Sequence, residues 1–116
     1  AVKAAGLTPE AKVYEVEQAV VTPLGKDMEC PRDGRKGAAY VDAISGADNA
    51  GMATHMLSYT WGYCIRDITE SLRQYCEKMQ LNTKRTYVWI CCMCVNQHRV
   101  REQAAQGKAV PFSEFQ

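Results

Sequence analysis

The residue types that could do chemistry cluster in the second half of the chain. Cys91, Cys94 and His98 combine a Cys-x-x-Cys pair with a following imidazole, and thiolate plus imidazole is a donor set that suits zinc. A matched fourth ligand is missing. On a strand, moreover, Cys91 and Cys94 face opposite sides, so no metal is expected. As a redox couple the same pair would have to open a helix, where the dipole acidifies a thiol; read from the sequence, it closes a strand. Ser58 and Tyr59 end one apolar run, and Asn96 and Gln97 follow another. If both runs are parallel strands, their carboxyl ends meet where α/β folds bind ligands. Trp61 and Tyr63 add aromatic surface to that crevice. Glu102 is the one acid soon after the second run, and by default it is a solvated helix residue.

These residues need a scaffold, and the apolar spacing supplies one. Residues 54–59 read as a short strand, and Ile65, Ile68, Leu72, Cys76 and Met79 recur at helical spacing. The continuous run 86–93, rich in β-branched and aromatic residues, reads as a strand covered on both faces. Residues 53–93 are thus a βαβ unit with an expected right-handed crossover. Arg99 to Gln106 forms a short helix that Gly107 ends. Upstream, Thr8-Pro9-Glu10 is a helix-start pattern, and Val13, Val16 and Val20 share one face. A helix over residues 9–20 follows, stopped by Pro23 and Gly25. Residues 26–37 read as a loop, residues 38–44 as a short strand or a helical turn. His55, inside the first strand, is expected to be half-buried and hydrogen-bonded.

The 116 residues suit one core, and a formal charge of +1 builds no basic face for nucleic acid. The longest uncharged run, residues 86–97, is too short to cross a bilayer. Three of the six cysteines sit in the most hydrophobic segment, which argues for free thiols in an intracellular reducing compartment rather than a disulfide framework. A doubly wound sheet normally uses roughly four or more strands. Only two are firm here, so the sheet is expected to be completed by a missing segment or a partner protein at its open edge. The chain divides into an N-terminal helix and loop, residues 1–52, and an α/β core, residues 53–116.

Leu57-Ser58-Tyr59-Thr60-Trp61-Gly62 and, further on, Tyr87-Val88-Trp89-Ile90 with Cys94-Val95-Asn96-Gln97 resemble the two signature blocks of the heterokaryon-incompatibility (HET) domain. That family has a flavodoxin-like fold related to TIR domains. The Asn96, Gln97, His98 ending resembles versions found in algal proteins, and the likeness covers residues 53–106. It implies a partial flavodoxin-like parallel sheet. It also implies either an adaptor or an enzyme that cleaves the N-glycosidic bond of NAD, with a pocket at Ser58, Tyr59, Trp61, Asn96 and Gln97 and Glu102 as its catalytic acid. Two departures favour the adaptor. Cys91 stands where HET sequences usually carry an acid, and Gln103 stands where an arginine usually follows the residue matching Glu102. The function expected is therefore a non-catalytic interaction module or small accessory subunit without a cofactor, and NAD hydrolysis is the alternative.

Overall fold

A computed structural model of the chain describes residues 1–108; the end of the expected core segment, residues 109–116, lies outside the described residues. The fold is mixed α/β. It opens on a helical rod made of α1 (Val13–Val16), a π-helical turn (Glu17–Val21) and α2 (Thr22–Gly25). The rod starts later than Thr8-Pro9 predicts and runs through Pro23. Proline has no N–H to give an α-helical ladder, and the wider turn before it, closed by Thr22 N–H on the Glu17 carbonyl, accommodates that gap. A loop carrying an isolated bridge between Glu29 and Lys36 leads to α3 (Tyr40–Ala43), a single helical turn within residues 38–44 rather than a strand.

β1 (His55–Met56), α4 (Ile65–Lys78) and β2 (Val88–Trp89) follow, and β1 pairs parallel to β2 with His55 opposite Val88. The βαβ order is as the sequence predicts, but the strands are much shorter. The apolar run does not continue as β-structure. It breaks at Ile90, and Cys91–Cys94 forms a helical turn, α5. Periodicity cannot separate a buried strand from a buried helical turn in so short a run. The sheet is also not covered on both faces, since Val88 and Trp89 are only half-buried. Finally α6 (Gln97–Ala105) runs past Gln106 to Gly107, whose φ of 68° suits a glycine after a helix end.

Neither Lys12 nor Cys64 is a good capping residue, yet they stand at the N-caps of α1 and α4. The two helices cap each other through the backbone. Val13 and Tyr14, the first donors of α1, bond the carbonyls of Tyr63 and Trp61 at 3.0 and 3.3 Å. Ile65 and Arg66, the first donors of α4, bond those of Ala11 and Pro9, both at 2.9 Å. Lys12 and Cys64 form the antiparallel bridge at the centre of this exchange. Four otherwise unpaired helix-start N–H groups are thereby satisfied.

One cluster of the core gathers Ala11, Val16 and Val21, with Ile65, Tyr40 and Met93 packed on it, and Val13, Cys30, Ala38, Ala39, Cys92 and Val95 are buried as well. Glu17 is 1% exposed and is neutralised by Arg101 of α6 at 2.7 and 2.9 Å, as a buried carboxylate requires. No residue of α4 is buried; Ile68, Leu72 and Cys76 are half-buried over the sheet. Among the described residues no helix is long and apolar enough to cross a membrane.

Gly25 marks the tightest backbone approach. Its carbonyl accepts from Ala38 N–H at 2.9 Å, and a Cβ on Gly25 would sit 2.1 Å from the Ala38 carbonyl oxygen. Gly25→Ala should therefore destabilise the protein by ~1–3 kcal/mol or more, as forced overpacking does, and a thermal melt would read this.

Candidate functional site

β1 delivers Ser58 and Tyr59 beyond its carboxyl end, and the turn at 60–63 closes through Tyr63 N–H on the Thr60 carbonyl at 3.2 Å. Because the Trp61 and Tyr63 carbonyls are engaged by α1, this loop is held from beneath. Ser58, Tyr59, Tyr63, Asp67 and Ser71 line an open cleft of about 370 Å³ there. Asp67 and Ser71 lie one turn apart on α4, so their side chains share a face. Trp61 is 37% exposed and does not line it.

Tyr59 links the two sequence blocks. Its hydroxyl accepts the Cys92 N–H at 3.1 Å, and burial, with the Cys92 thiol adding to it, pushes its phenol up. Asn96 and Gln97 go elsewhere. Asn96 is 3% exposed and caps α6: its Oδ1 accepts from His98 N–H at 3.0 Å, and its Nδ2 donates to the Gly37 carbonyl at 2.8 Å. Gln97 is buried, with Nε2 on the Val95 carbonyl. Among the described residues, the cleft beside Ser58 and Tyr59 does not extend to Asn96 or Gln97. The helical turn Cys91–Cys94 carries the chain away from β2 before Asn96 is reached.

Glu102 is not simply solvated. It pairs with Arg35 at 3.1 Å and with Arg99 at 3.2 Å. Arg99, 6% exposed, also grips Asp33 with two nitrogens, at 2.6 and 3.1 Å, and donates to the Lys36 carbonyl. This network pins the 32–37 loop onto α6. Arg99 was invisible to sequence reasoning because its partner lies 66 positions away. Asn96 did carry a signal, since asparagine directly before a helical stretch is an ordinary N-cap.

The cysteines are all free. Cys91 opens a helical turn instead of closing a strand, which is the placement a redox pair needs, but burial pushes both the Cys91 and Cys94 thiols up. Burial thus works against the thiolate form that redox chemistry needs. Among the described residues no three side chains of His, Cys, Asp or Glu gather where they could hold a metal ion. A second cleft of about 390 Å³ lies on the other side of the sheet, bounded by Tyr40, Tyr87, Trp89 and Arg32. Arg32 is already paired with Asp42 at 2.7 Å.

Two expectations follow. Asn96→Ala removes a cap and leaves the Gly37 carbonyl unpaired, so it should cost ~1–3 kcal/mol, whereas Ser58→Ala, at an exposed position, should stay within ~0.5 kcal/mol; chemical denaturation would compare them. The second concerns acid. The Arg99 guanidinium, with the Arg35 N–H, holds the Asp33 carboxyl well below the usual carboxylate range. Such a group contributes stability that is full above its unfolded value and lost as pH falls through its folded one. Stability should hold down to about pH 4 and fall below it, and Asp33→Asn should flatten that limb in an acid titration followed by circular dichroism.

In comparisons with known proteins, no protein-family description, no curated protein and no solved structure matches this chain.

Proposed function

We propose that the chain is a protein-interaction module on a HET/TIR-like, flavodoxin-related fold, acting as a small accessory subunit rather than as an enzyme. The observation that carries this reading is the pair β1–β2, a parallel sheet with no third strand among the described residues. Parallel sheets ordinarily have both faces covered, and an open strand edge is a template for another chain. Apolar surface is concentrated beside it: Met56 is 75% exposed, and Tyr75 and Met79 of the adjoining helix region are exposed too. Contiguous patches of this kind mark binding surfaces. The order of strand, aromatic turn, amphipathic helix and strand agrees with the resemblance of the two sequence blocks, which supports the family reading.

Catalysis is disfavoured by what the carboxylates do. Cleaving an N-glycosidic bond needs a carboxylate at the sugar in a site that excludes water. Glu102 is tied to two guanidinium groups, Arg35 of the 32–37 loop and Arg99 of α6, and Asp67, the acid that does border the Ser58 cleft, is exposed.

A photo-reactive amino acid at Met56 should give a discrete cross-linked adduct in cells, lost in Leu72→Asp, while the same group at exposed Glu29 gives none. Purified protein incubated with NAD should release no nicotinamide. Turnover, or no adduct at Met56, would overturn the reading.

A further inference from the structure

The joint between the two helix starts holds an amine against a thiol. Lys12 and Cys64 are both in extended backbone and face each other across their antiparallel bridge. The bonds that make the bridge lie on either side of them, from Val13 N–H to the Tyr63 carbonyl at 3.0 Å and from Ile65 N–H to the Ala11 carbonyl at 2.9 Å. Facing residues flanked in this way exchange no backbone bonds, and their side chains rise on one face at the closest spacing an antiparallel pair allows, with Cβ atoms roughly 4.5–5.5 Å apart. Lys12 Nζ accordingly meets Cys64 Sγ at 3.3 Å. The backbone sets this meeting, so it is not the chance reach of a long side chain.

The acids nearest to Lys12 in sequence are engaged elsewhere. Glu10 pairs with Arg66, and the Glu15 carboxylate accepts the Lys12 backbone N–H at 2.7 Å. The Cys64 sulfur does not cap the helix it precedes. Both residues are half-buried, held together yet open to a small oxidant. The other thiols of the hydrophobic segment differ, since burial pushes Cys91, Cys92 and Cys94 up, and Cys30 is buried against the Asn96 amide. A lysine beside the sulfur and a helix start behind it are surroundings in which protein thiols react with oxidants.

We propose that Lys12 and Cys64 form an oxidative cross-linking site, at which hydrogen peroxide leads to a sulfenamide bond between Nζ and Sγ. In the first step the Cys64 thiolate attacks one peroxide oxygen. An S–O bond forms, the O–O bond breaks, the other oxygen leaves as hydroxide, and the sulfur, oxidised by two electrons, becomes a sulfenic acid. Sulfenic acids condense with a neighbouring nitrogen. Lys12, having released one proton to solvent, attacks the sulfur with its lone pair; the S–N bond forms, the S–O bond breaks, and the oxygen leaves as water with a second proton from the nitrogen. Two equivalents of a reducing thiol reverse the link and become a disulfide. The bond ties positions 52 apart in the chain, which restricts the unfolded state as a disulfide does, and so locks the two helix starts together. The proposal is independent of the interaction-module reading.

The test treats the reduced, intact chain with hydrogen peroxide and digests it with trypsin in the absence of reductant. A linked Lys12 resists trypsin, so residues 4–26 should be found joined to residues 37–66, at a mass about 2 Da below the sum of the two peptides. Residues 4–26 contain no cysteine, so no disulfide gives this product, and dithiothreitol should separate it. Lys12→Arg keeps the charge and should give no joined peptide; dimedone, which traps sulfenic acids, should then label Cys64 about fivefold or more above the parent chain, where the amine consumes the acid. Circular dichroism confirms that the variant folds. The oxidised parent should melt about 5 °C or more higher, and dithiothreitol should remove the rise. No joined peptide, an equal yield from the urea-denatured chain, or equal dimedone labelling in parent and variant would overturn the site. A joined peptide without a rise in Tm would overturn the lock.

Discussion

The architecture depends on two helix starts that complete each other. An α-helix begins with backbone donors that its own turns cannot satisfy, and here the lead-in to α1 supplies acceptors for α4 while the lead-in to α4 supplies acceptors for α1. The exchange runs around the Lys12–Cys64 bridge, where Lys12 Nζ also reaches the Cys64 sulfur at 3.3 Å. Each bond contributes about 0.5–1.5 kcal/mol, modest alone. Together they fix the rod against the strand–loop–helix unit and bring Ile65 onto the cluster of Ala11, Val16 and Val21. The loop carrying Ser58 to Tyr63 inherits its position from this joint.

Legibility in the sequence follows the range of the interactions. The spacing of Ile65, Ile68, Leu72 and Cys76 is a local, repeated signal, and α4 appears where it predicts. The parallel order of two strands around that helix was legible for the same reason. The start of α1 was not, because its cap is a remote backbone rather than the Thr8 hydroxyl. Residues 91–94 were misassigned because an apolar run reports burial and not conformation. At the candidate site, Ser58 and Tyr59 lie beyond β1, which stops at Met56, instead of forming its last residues. Asn96 serves the backbone, since its position before α6 and the approach of the 30–37 loop use both ends of its amide. Asp67 carries no signal in the sequence beyond that of a helix residue, because only the fold brings it to the cleft that Ser58 lines.

The molecule is held unevenly. Around α6 the polar groups are paired densely: Glu17 with Arg101, Arg99 with Asp33 and Glu102, Asn96 with Gly37. Along β1 and α4 the paired backbone is short and the apolar side chains are half-buried or exposed. A polar-paired side thus carries a face with spare backbone bonding capacity.

The wide turn at Glu17–Val21 has a consequence for one imidazole. Past that turn, the Lys26 N–H bonds the Pro23 carbonyl, and the Thr22 carbonyl receives His98 Nε2 at 3.1 Å. A carbonyl can only accept, so Nε2 must carry the hydrogen. The neutral ring is thereby fixed in its Nε2–H tautomer, and its lone pair resides on Nδ1 alone. The conformation of a helix in the first quarter of the chain thus decides which nitrogen of a residue near the end can act as a base or a ligand.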